Sequence, residues 1–327
     1  MIFESITVNL LEIIKFLNEM KGKLGIILAL LVTVAVSGFG QEKVKLEKEL
    51  TYNQHTLADT YHYKNTAREF QWDKIKKQLA YTDYLRTIGQ GTWGILQNKS
   101  DKHGLPPVTI EHNRNEYSDN TDKYDVEQPQ SVPLYLAGNL NIPERYARDG
   151  SLINVTGQLG NFVIATVKDM DGEYYIPSKY VHPIAKPDFV KVIVVDRLNQ
   201  NISTYEKAGD TWKVRSMNPC TTGAHNPKLQ RPTPLGLYVI QMHEEKMPFY
   251  VDGTTKIAGY APWASRFCQG AYLHGVPVNL PHTDIIEFSP TLGTIPRSHM
   301  CVRNAASHAK FIYDNFLPEQ SLVYVIE

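Results

Sequence analysis

Hydrophobic and polar positions change rhythm several times along the chain. Residues 24–36, LGIILALLVTVAV, form an uncharged apolar run, shorter than the ~20 residues a membrane-spanning helix needs. Lys21 and Lys23 precede it, and Gly38 and Gly40 follow, ahead of a possible cut before Gln41. Basic residues, an apolar stretch and small residues in that order are the layout of an export signal, read from Met20 with 1–19 as an upstream extension. An uncut membrane anchor is the alternative. Residues 42–88 are charged and helix-prone, and Phe70, Trp72, Ile75, Leu79 and Leu85 recur at steps roughly consistent with one amphipathic helix. Gly89, Gly91 and Gly94 break the pattern. Residues 98–130 are polar, with Pro106-Pro107 and a run of Asn, Asp and Glu, and read as a linker or irregular surface segment.

From 132 the period shortens. Runs rich in β-formers at 133–136, 152–155, 161–167 and 173–176 are punctuated by Gly150, Gly157, Gly160 and Gly172, with Asp171-Gly172 as a hairpin turn. Residues 189–327 are again β-rich. Strand candidates lie at 190–196, 237–242 and 322–326, and 304–315 reads as a helix with Ala305, Ala309, Ile312 and Phe316 along one face. Strands dominate without the alternating helices of a parallel sheet, so the chain reads as mainly β behind a helical N-terminal region.

Composition narrows the chemistry. Lys+Arg and Asp+Glu both total 34, and a neutral chain is not a nucleic-acid binder that works through a broad basic surface. Three cysteines exclude a disulfide-rich scaffold and a four-cysteine zinc site. The odd count leaves at least one thiol unpaired within the chain. Cys301 lies in the densest polar cluster, Ser298-His299-Met300-Cys301-Val302-Arg303-Asn304, and a thiol needs a base and electrostatic help to act as a nucleophile near neutral pH. A candidate base is His274 in Ala271-Tyr272-Leu273-His274-Gly275, an apolar strand whose His-Gly ending presents a side chain at a rim. His299, His274 and Cys301 lack a fourth ligand for zinc, and no metal or cofactor is implied. Cys220 and Cys268 read as separate buried thiols, although an exported setting permits a bridge. Trp263 and Phe267 are candidates for core or cleft wall.

SHMCVRN resembles the Ser/Thr-His-Gly-Cys-apolar-Arg/Asn signature of the L,D-transpeptidase (YkuD-type) catalytic domain. Thr222-Gly223 with Pro232-Thr233-Pro234-Leu235-Gly236 resembles that family's TG…TPxG stretch, and Tyr272-Leu273-His274-Gly275 resembles its histidine-bearing strand. The resemblance covers 189–327. It implies a β-sandwich with a short helix, in which Cys301 is the nucleophile, His274 the base, and His299 shapes the site beside the thiol. Backbone N–H groups of His299, Met300 and Cys301 would hold the oxyanion, and the Gly275 carbonyl would fix the imidazole tautomer. Arg303, Ser298, Gly275 and Met300 form the implied substrate-binding set. Two departures stand out. Met300 replaces the family's glycine, so the loop must use a backbone that a Cβ tolerates. The gap from His274 to Ser298 is long; His282 sits at a more usual gap but in a Pro-rich loop without the preceding strand. The extra residues, 276–295, suggest a flap over the cleft.

Residues 132–186 resemble bacterial SH3 domains in size, pattern and the ending YYIPSKYVHPI, a wall-binding module or a plain spacer. The implied organisation is 1–40 signal peptide or anchor, 41–131 helical region and linker, 132–186 SH3-like domain, and 187–327 catalytic domain. The implied function is peptidoglycan cross-linking in the cell envelope through a cysteine thioester, with stem peptides as partners and membrane contact only through an uncleaved N-terminus. Rivals are an L,D-carboxypeptidase using the same site, an inactive wall-binding protein, and a cysteine peptidase of the NlpC type. The last places its cysteine before its histidine, the reverse of the order here.

Overall fold

The computed structural model describes residues 44–88, 92–107, 113–114, 120–185, 188–226 and 230–327. The run at 24–36, with its reading as signal or anchor, lies outside the described residues, as do Gly89 and Gly91. Among the described residues no helix is long and apolar enough to cross a membrane.

The stretch 42–88 is not one helix. Its described part supplies strand β1 (Lys45–Lys48), a hairpin of Thr60–Tyr63 and Thr66–Glu69, and helix α1 (Trp72–Thr87). Thr60, Tyr61 and Tyr63 favour a pleated surface, and Lys64 takes a left-handed φ of 53° at the turn, so this segment pairs as strands. Within α1, Ile75, Leu79, Thr82 and Leu85 are buried at the three-to-four spacing of one helix face. Phe70 and Trp72, assigned by periodicity to the same stripe, stack on each other at 5.7 Å at the helix entrance.

A five-stranded sheet follows, built from β2 (Thr92–Leu96), β3 (Leu152–Leu159), β4 (Phe162–Val167), β5 (Tyr174–Pro177) and β6 (Val181–Ile184), in the order β5-β4-β3-β2-β6. Strand β2 lies ahead of the boundary expected at 132. It is apolar on both faces: Trp93 and Ile95 enter one core cluster and Leu96 another. It therefore carries no alternation to be read from sequence. The polar stretch 98–130 is also no free linker where it is described. The buried Asp122 carboxylate accepts from the N–H groups of Tyr124, Val126 and Tyr146 at 2.9, 3.0 and 2.8 Å. The Asn98 side-chain amide donates to the Ser131 carbonyl at 2.9 Å. Polar side chains here are bonded inside the fold rather than solvated.

The remaining strands are β7 (Lys191–Asp196), β8 (Asn201–Ala208), β9 (Thr211–Pro219), β10 (Gly236–Val239), β11 (Met242–Tyr250), β12 (Ile257–Cys268), β13 (Ala271–His274), β14 (Val278–Asn279) and β15 (Val302–Arg303), then helix α2 (Ala306–Asn315) and β16 (Ser321–Ile326). They form a six-stranded sheet, β1-β9-β8-β7-β16-β10, and a second sheet, β11-β12-β13-β15, with β14 paired to β12. One face of the six-stranded sheet, with Val192, Val194, Leu322 and Tyr324, shares a core with Ile75 and Leu79 of α1 and with Trp93 and Ile95 of β2. Its other face, with Ile193, Val195, Val323 and Val325, shares a core with Phe267, Leu273 and Val302 of the second sheet and with Ile312 and Phe316. The chain is mainly β, and this sheet is a middle layer covered on both sides. Cys220 and Cys268 are free, buried thiols in that second core.

Candidate functional site

Strands β13 and β15 run parallel, with Leu273 opposite Val302 and His274 opposite Arg303. Side chains alternate between faces along each strand. Leu273 and Val302 therefore point into the core, while Tyr272, His274, Cys301 and Arg303 line a cleft of about 1250 Å³ on the other face. Pairing of two short strands thus brings His274 and Cys301, distant in sequence, to one wall.

His274 is 3 % exposed. Its Nδ1 lies 2.6 Å from the Gly275 carbonyl oxygen. A carbonyl can only accept, so Nδ1 carries the proton and Nε2 keeps its lone pair. Burial, reinforced by the Arg303 charge and opposed by the bond to Gly275, lowers the imidazole pKa to about 4. The ring is neutral at neutral pH and competent to take up a proton at Nε2. Gly275 is required by close approach: a Cβ there would stand 2.8 Å from Pro262 Cγ and 3.1 Å from Ala306 Cα. The His274 carbonyl accepts from the backbone N–H of Asn304 at 2.8 Å. Asn304 Oδ1 in turn receives the Nδ1–H of buried His308 at 3.2 Å, and Ser216 Oγ stands 2.8 Å from His308 Nε2. Sequence reading missed this buried row beneath His274.

Cys301 is half-buried, with Sγ 3.6 Å from the Gly270 carbonyl. Burial pushes its thiol up, against the opposing pull of the Tyr272 N–H and of the Arg303 and Lys99 charges. The resting pair is accordingly a neutral thiol and a neutral imidazole.

The loop before the thiol is held by its carbonyls. The His299 carbonyl accepts from Arg231 N–H at 3.1 Å and that of Met300 from the Thr233 hydroxyl at 2.7 Å, and the Cys301 carbonyl accepts from Ser298 Oγ. Thr233 Oγ1 also accepts from Gly223 N–H at 2.8 Å. In a trans peptide, N–H and C=O point in opposite directions. Anchoring the His299 and Met300 carbonyls on the Gly223–Thr233 side therefore turns the N–H groups of Met300 and Cys301 the other way. Gly223 permits this contact, since a Cβ would meet the Arg231 carbonyl oxygen at 2.2 Å and Met300 Cα at 3.0 Å. Met300 is not among the residues with left-handed φ, so its Cβ is accommodated, and its side chain packs against the core.

Of the residues singled out from sequence, Cys301, His274, His299, Ser298 and Arg303 line the same cleft. His299 pairs with Asp252 at 3.0 Å. Arg303 has a buried Nε without a partner among the described residues. Gly275 and Met300 support the wall from behind, and the Ser298 hydroxyl is engaged with the Cys301 carbonyl. His282 is exposed and is not among the residues that line the cleft. Segment 276–295 contributes Val276, Asn279, Thr291 and Leu292 to the lining, and is fastened by Thr221 Oγ1 to the Thr291 carbonyl at 2.9 Å and by Gly293 N–H to the Cys220 carbonyl at 2.9 Å. The facing wall, Met247 to Asp252 at the end of β11, was not foreseen. Pro248 inside that run reads against a strand, and β11 is an edge, where proline is tolerated. Lys99 and Glu244 also reach the cleft from segments that no motif marked.

Several solved structures are similar in part. A fused Zn-dependent amidase/peptidase/peptidoglycan-binding domain-containing protein from Clostridium acetobutylicum is 20% identical over 42% of this chain, with TM-score 0.31, and this chain spans 52% of it. An L,D-transpeptidase from Mycobacterium tuberculosis is 17% identical over 57% of this chain and 70% of its own, with TM-score 0.33. An L,D-transpeptidase from Mycobacterium smegmatis is 12% identical over 60% of this chain and 100% of its own, with TM-score 0.35. No curated protein matches the chain. Residues 190–325, which hold Cys301, His274 and the loop that positions them, match the model of the L,D-transpeptidase catalytic domain, YkuD.

Proposed function

We propose that the protein is a peptidoglycan L,D-transpeptidase of the cell envelope, with Cys301 as nucleophile and His274 as base. The observation that carries this reading is the pairing on one cleft wall of the thiol with a neutral imidazole whose Nδ1–H is bound to Gly275. The Cys301 proton passes to His274 Nε2 as sulfur attacks the carbonyl of the third stem-peptide residue. The N–H groups of Met300 and Cys301 receive the oxyanion. The C–N bond to the terminal D-residue breaks, and its amine leaves with the proton from His274. An amine of a second stem then attacks the thioester, forming the cross-link and returning the thiol. Arg303, on the cleft wall, orients the loop or a substrate carboxylate, and His299 with Asp252 borders the site. Segment 24–36 serves as export signal, and residues 132–186 are the SH3-like part, a spacer or a contact to the wall.

The test is intact-mass analysis after incubation with a tetrapeptide stem or a carbapenem. The expected result is one covalent adduct, mapped to Cys301 and absent in Cys301→Ala. An adduct of unchanged yield in that variant overturns the assignment. Product analysis with and without an added amine separates cross-linking from release by water, which would make the protein an L,D-carboxypeptidase.

A further inference from the structure

One residue of the cleft lining, Lys99, comes from outside residues 190–325. Lys99 sits in the turn after β2, and its Nζ donates to the Tyr272 hydroxyl at 2.7 Å. The Tyr272 hydroxyl donates in turn to Glu244 Oε1 at 3.2 Å. Lys99, Tyr272 and Glu244 all line the cleft that holds Cys301, and Tyr272 shares a strand face with His274.

The turn carrying Lys99 is rigidly placed. The fully buried Asp149 carboxylate accepts from the N–H groups of Asn98 and Lys99 through Oδ1 at 2.8 and 2.9 Å. Its Oδ2 accepts from Arg266 Nη1 at 2.8 Å, Gln241 Nε2 at 2.9 Å and Gln269 N–H at 3.1 Å, all on or beside β12. The clamp fastens the Lys99 backbone to the sheet that carries the cleft, so the ammonium is preorganised rather than free to wander.

Neither charge is paired directly. Among the described residues Lys99 and Glu244 form no ion pair with each other or with another side chain, and the tyrosine hydroxyl stands between them. An ammonium has three donors and a carboxylate several lone pairs, so both have capacity left that faces the cleft. The pattern, a cation and an anion on either side of one hydroxyl, is complementary to a carbon bearing both a carboxylate and an ammonium.

We propose that Lys99, Tyr272 and Glu244 form the acceptor subsite, with Lys99 taking the free carboxylate and Glu244 the ammonium of an amino-acid centre whose amine is the acceptor; the ammonium gives one proton to the Glu244 carboxylate before its lone pair attacks the thioester, and its second passes through His274 to the departing sulfur. The substrate class is an amine with a carboxylate on the same carbon. An acceptor with that carboxylate amidated is discriminated against. This rests on the cross-linking function proposed above. Loss of the Lys99 ammonium removes the only cation that the chain before residue 190 supplies to the cleft among the described lining residues.

The experiment uses the whole protein with a tetrapeptide donor and D-leucine or D-leucinamide as acceptor, read by mass spectrometry as exchange product. Taking the preference for the acid over the amide as a ratio cancels the different basicity of the two amines when variants are compared at one pH. Removing the charge with Lys99→Met should lower that ratio about 10-fold or more, as expected for loss of a charge-assisted hydrogen bond. Lys99→Arg should recover most of it, and Glu244→Gln should slow both acceptors together. An unchanged ratio in Lys99→Met overturns the subsite. If the wild type forms the thioester yet shows a ratio that no variant moves, the subsite fails and the cross-linking function stands. If the wild type forms no thioester, the function fails first.

Discussion

Replacing Thr233 by valine keeps the side-chain outline and removes one hydroxyl. Thr233 is fully buried, and its Oγ1 accepts from Gly223 N–H at 2.8 Å while donating to the Met300 carbonyl at 2.7 Å. The valine methyl reaches neither group. Two backbone polar groups lose their partners at a site that a water cannot enter without displacing the close Gly223–Met300 contact. Each such orphan costs about 1–3 kcal/mol, so Thr233→Val should lower stability by roughly 2–6 kcal/mol. The kinetic effect follows from the same bond. With its carbonyl released, the peptide between Met300 and Cys301 is free to rotate, and the N–H that receives the oxyanion loses its aim. A fall in Cys301 acylation of roughly 10- to 100-fold is expected. Chemical denaturation gives the first quantity, and single-turnover acylation by a carbapenem followed by intact mass gives the second. Thr233→Ser, which keeps the hydroxyl, should stay within about 1 kcal/mol of wild type and acylate at a similar rate. A valine variant that is less stable but acylates normally would refute the claim that this hydroxyl aims the nucleophile loop. One that is unaffected in both would refute the bonding itself.

Two further outcomes follow. His274→Ala should abolish acylation by the stem peptide, whereas His282→Ala, changing an exposed residue, should leave it within about twofold; loss confined to the second variant would reassign the base. Stability should also fall as pH drops below the ordinary histidine range near 6.5. Burial lowers His274 to about 4 and His308 to about 3, so below 6.5 the unfolded chain takes up protons that the folded chain refuses. Each histidine then removes about 1.4 kcal/mol per pH unit until its folded pKa is reached. Denaturant midpoints at pH 7, 6 and 5 measure this, and a flat profile over that interval contradicts the two buried neutral rings.

The C-terminal part was legible because its signals are local. The strand ending His274-Gly275, the Ser298–Arg303 cluster and the helical face of Ala309, Ile312 and Phe316 each announce themselves within a few residues. Met300, foreseen as a departure needing a tolerant backbone, has one. What sequence could not convey depends on pairing over distance. β2 has no alternation because Trp93, Ile95 and Leu96 serve cores on opposite faces. The segment around Asp122 looked solvated because its polarity is answered by buried N–H groups. Lys99 is remote in sequence from Cys301, and long-range pairing, the Asp149 clamp included, brings it to the cleft. The strands β1 and the 60–69 hairpin were hidden by charged residues whose exposed sides carry the composition while few inward positions carry the fold.

The middle layer bears on how portable the part with Cys301 and His274 is. Val192, Val194, Leu322 and Tyr324 belong to the segment that holds the thiol, yet the surface they present is roofed by residues from well before it. A piece cut at 190–325 would keep Cys301 and His274 but unroof that face, and contiguous bare apolar surface of this kind drives self-association. The same cut discards β1, leaving the strand Thr211–Pro219 as an open edge with unpaired backbone groups. Motif and cohesion thus have different boundaries in this chain: Cys301 and His274 are packed into its C-terminal part, whereas the compact unit that encloses them begins near Val44.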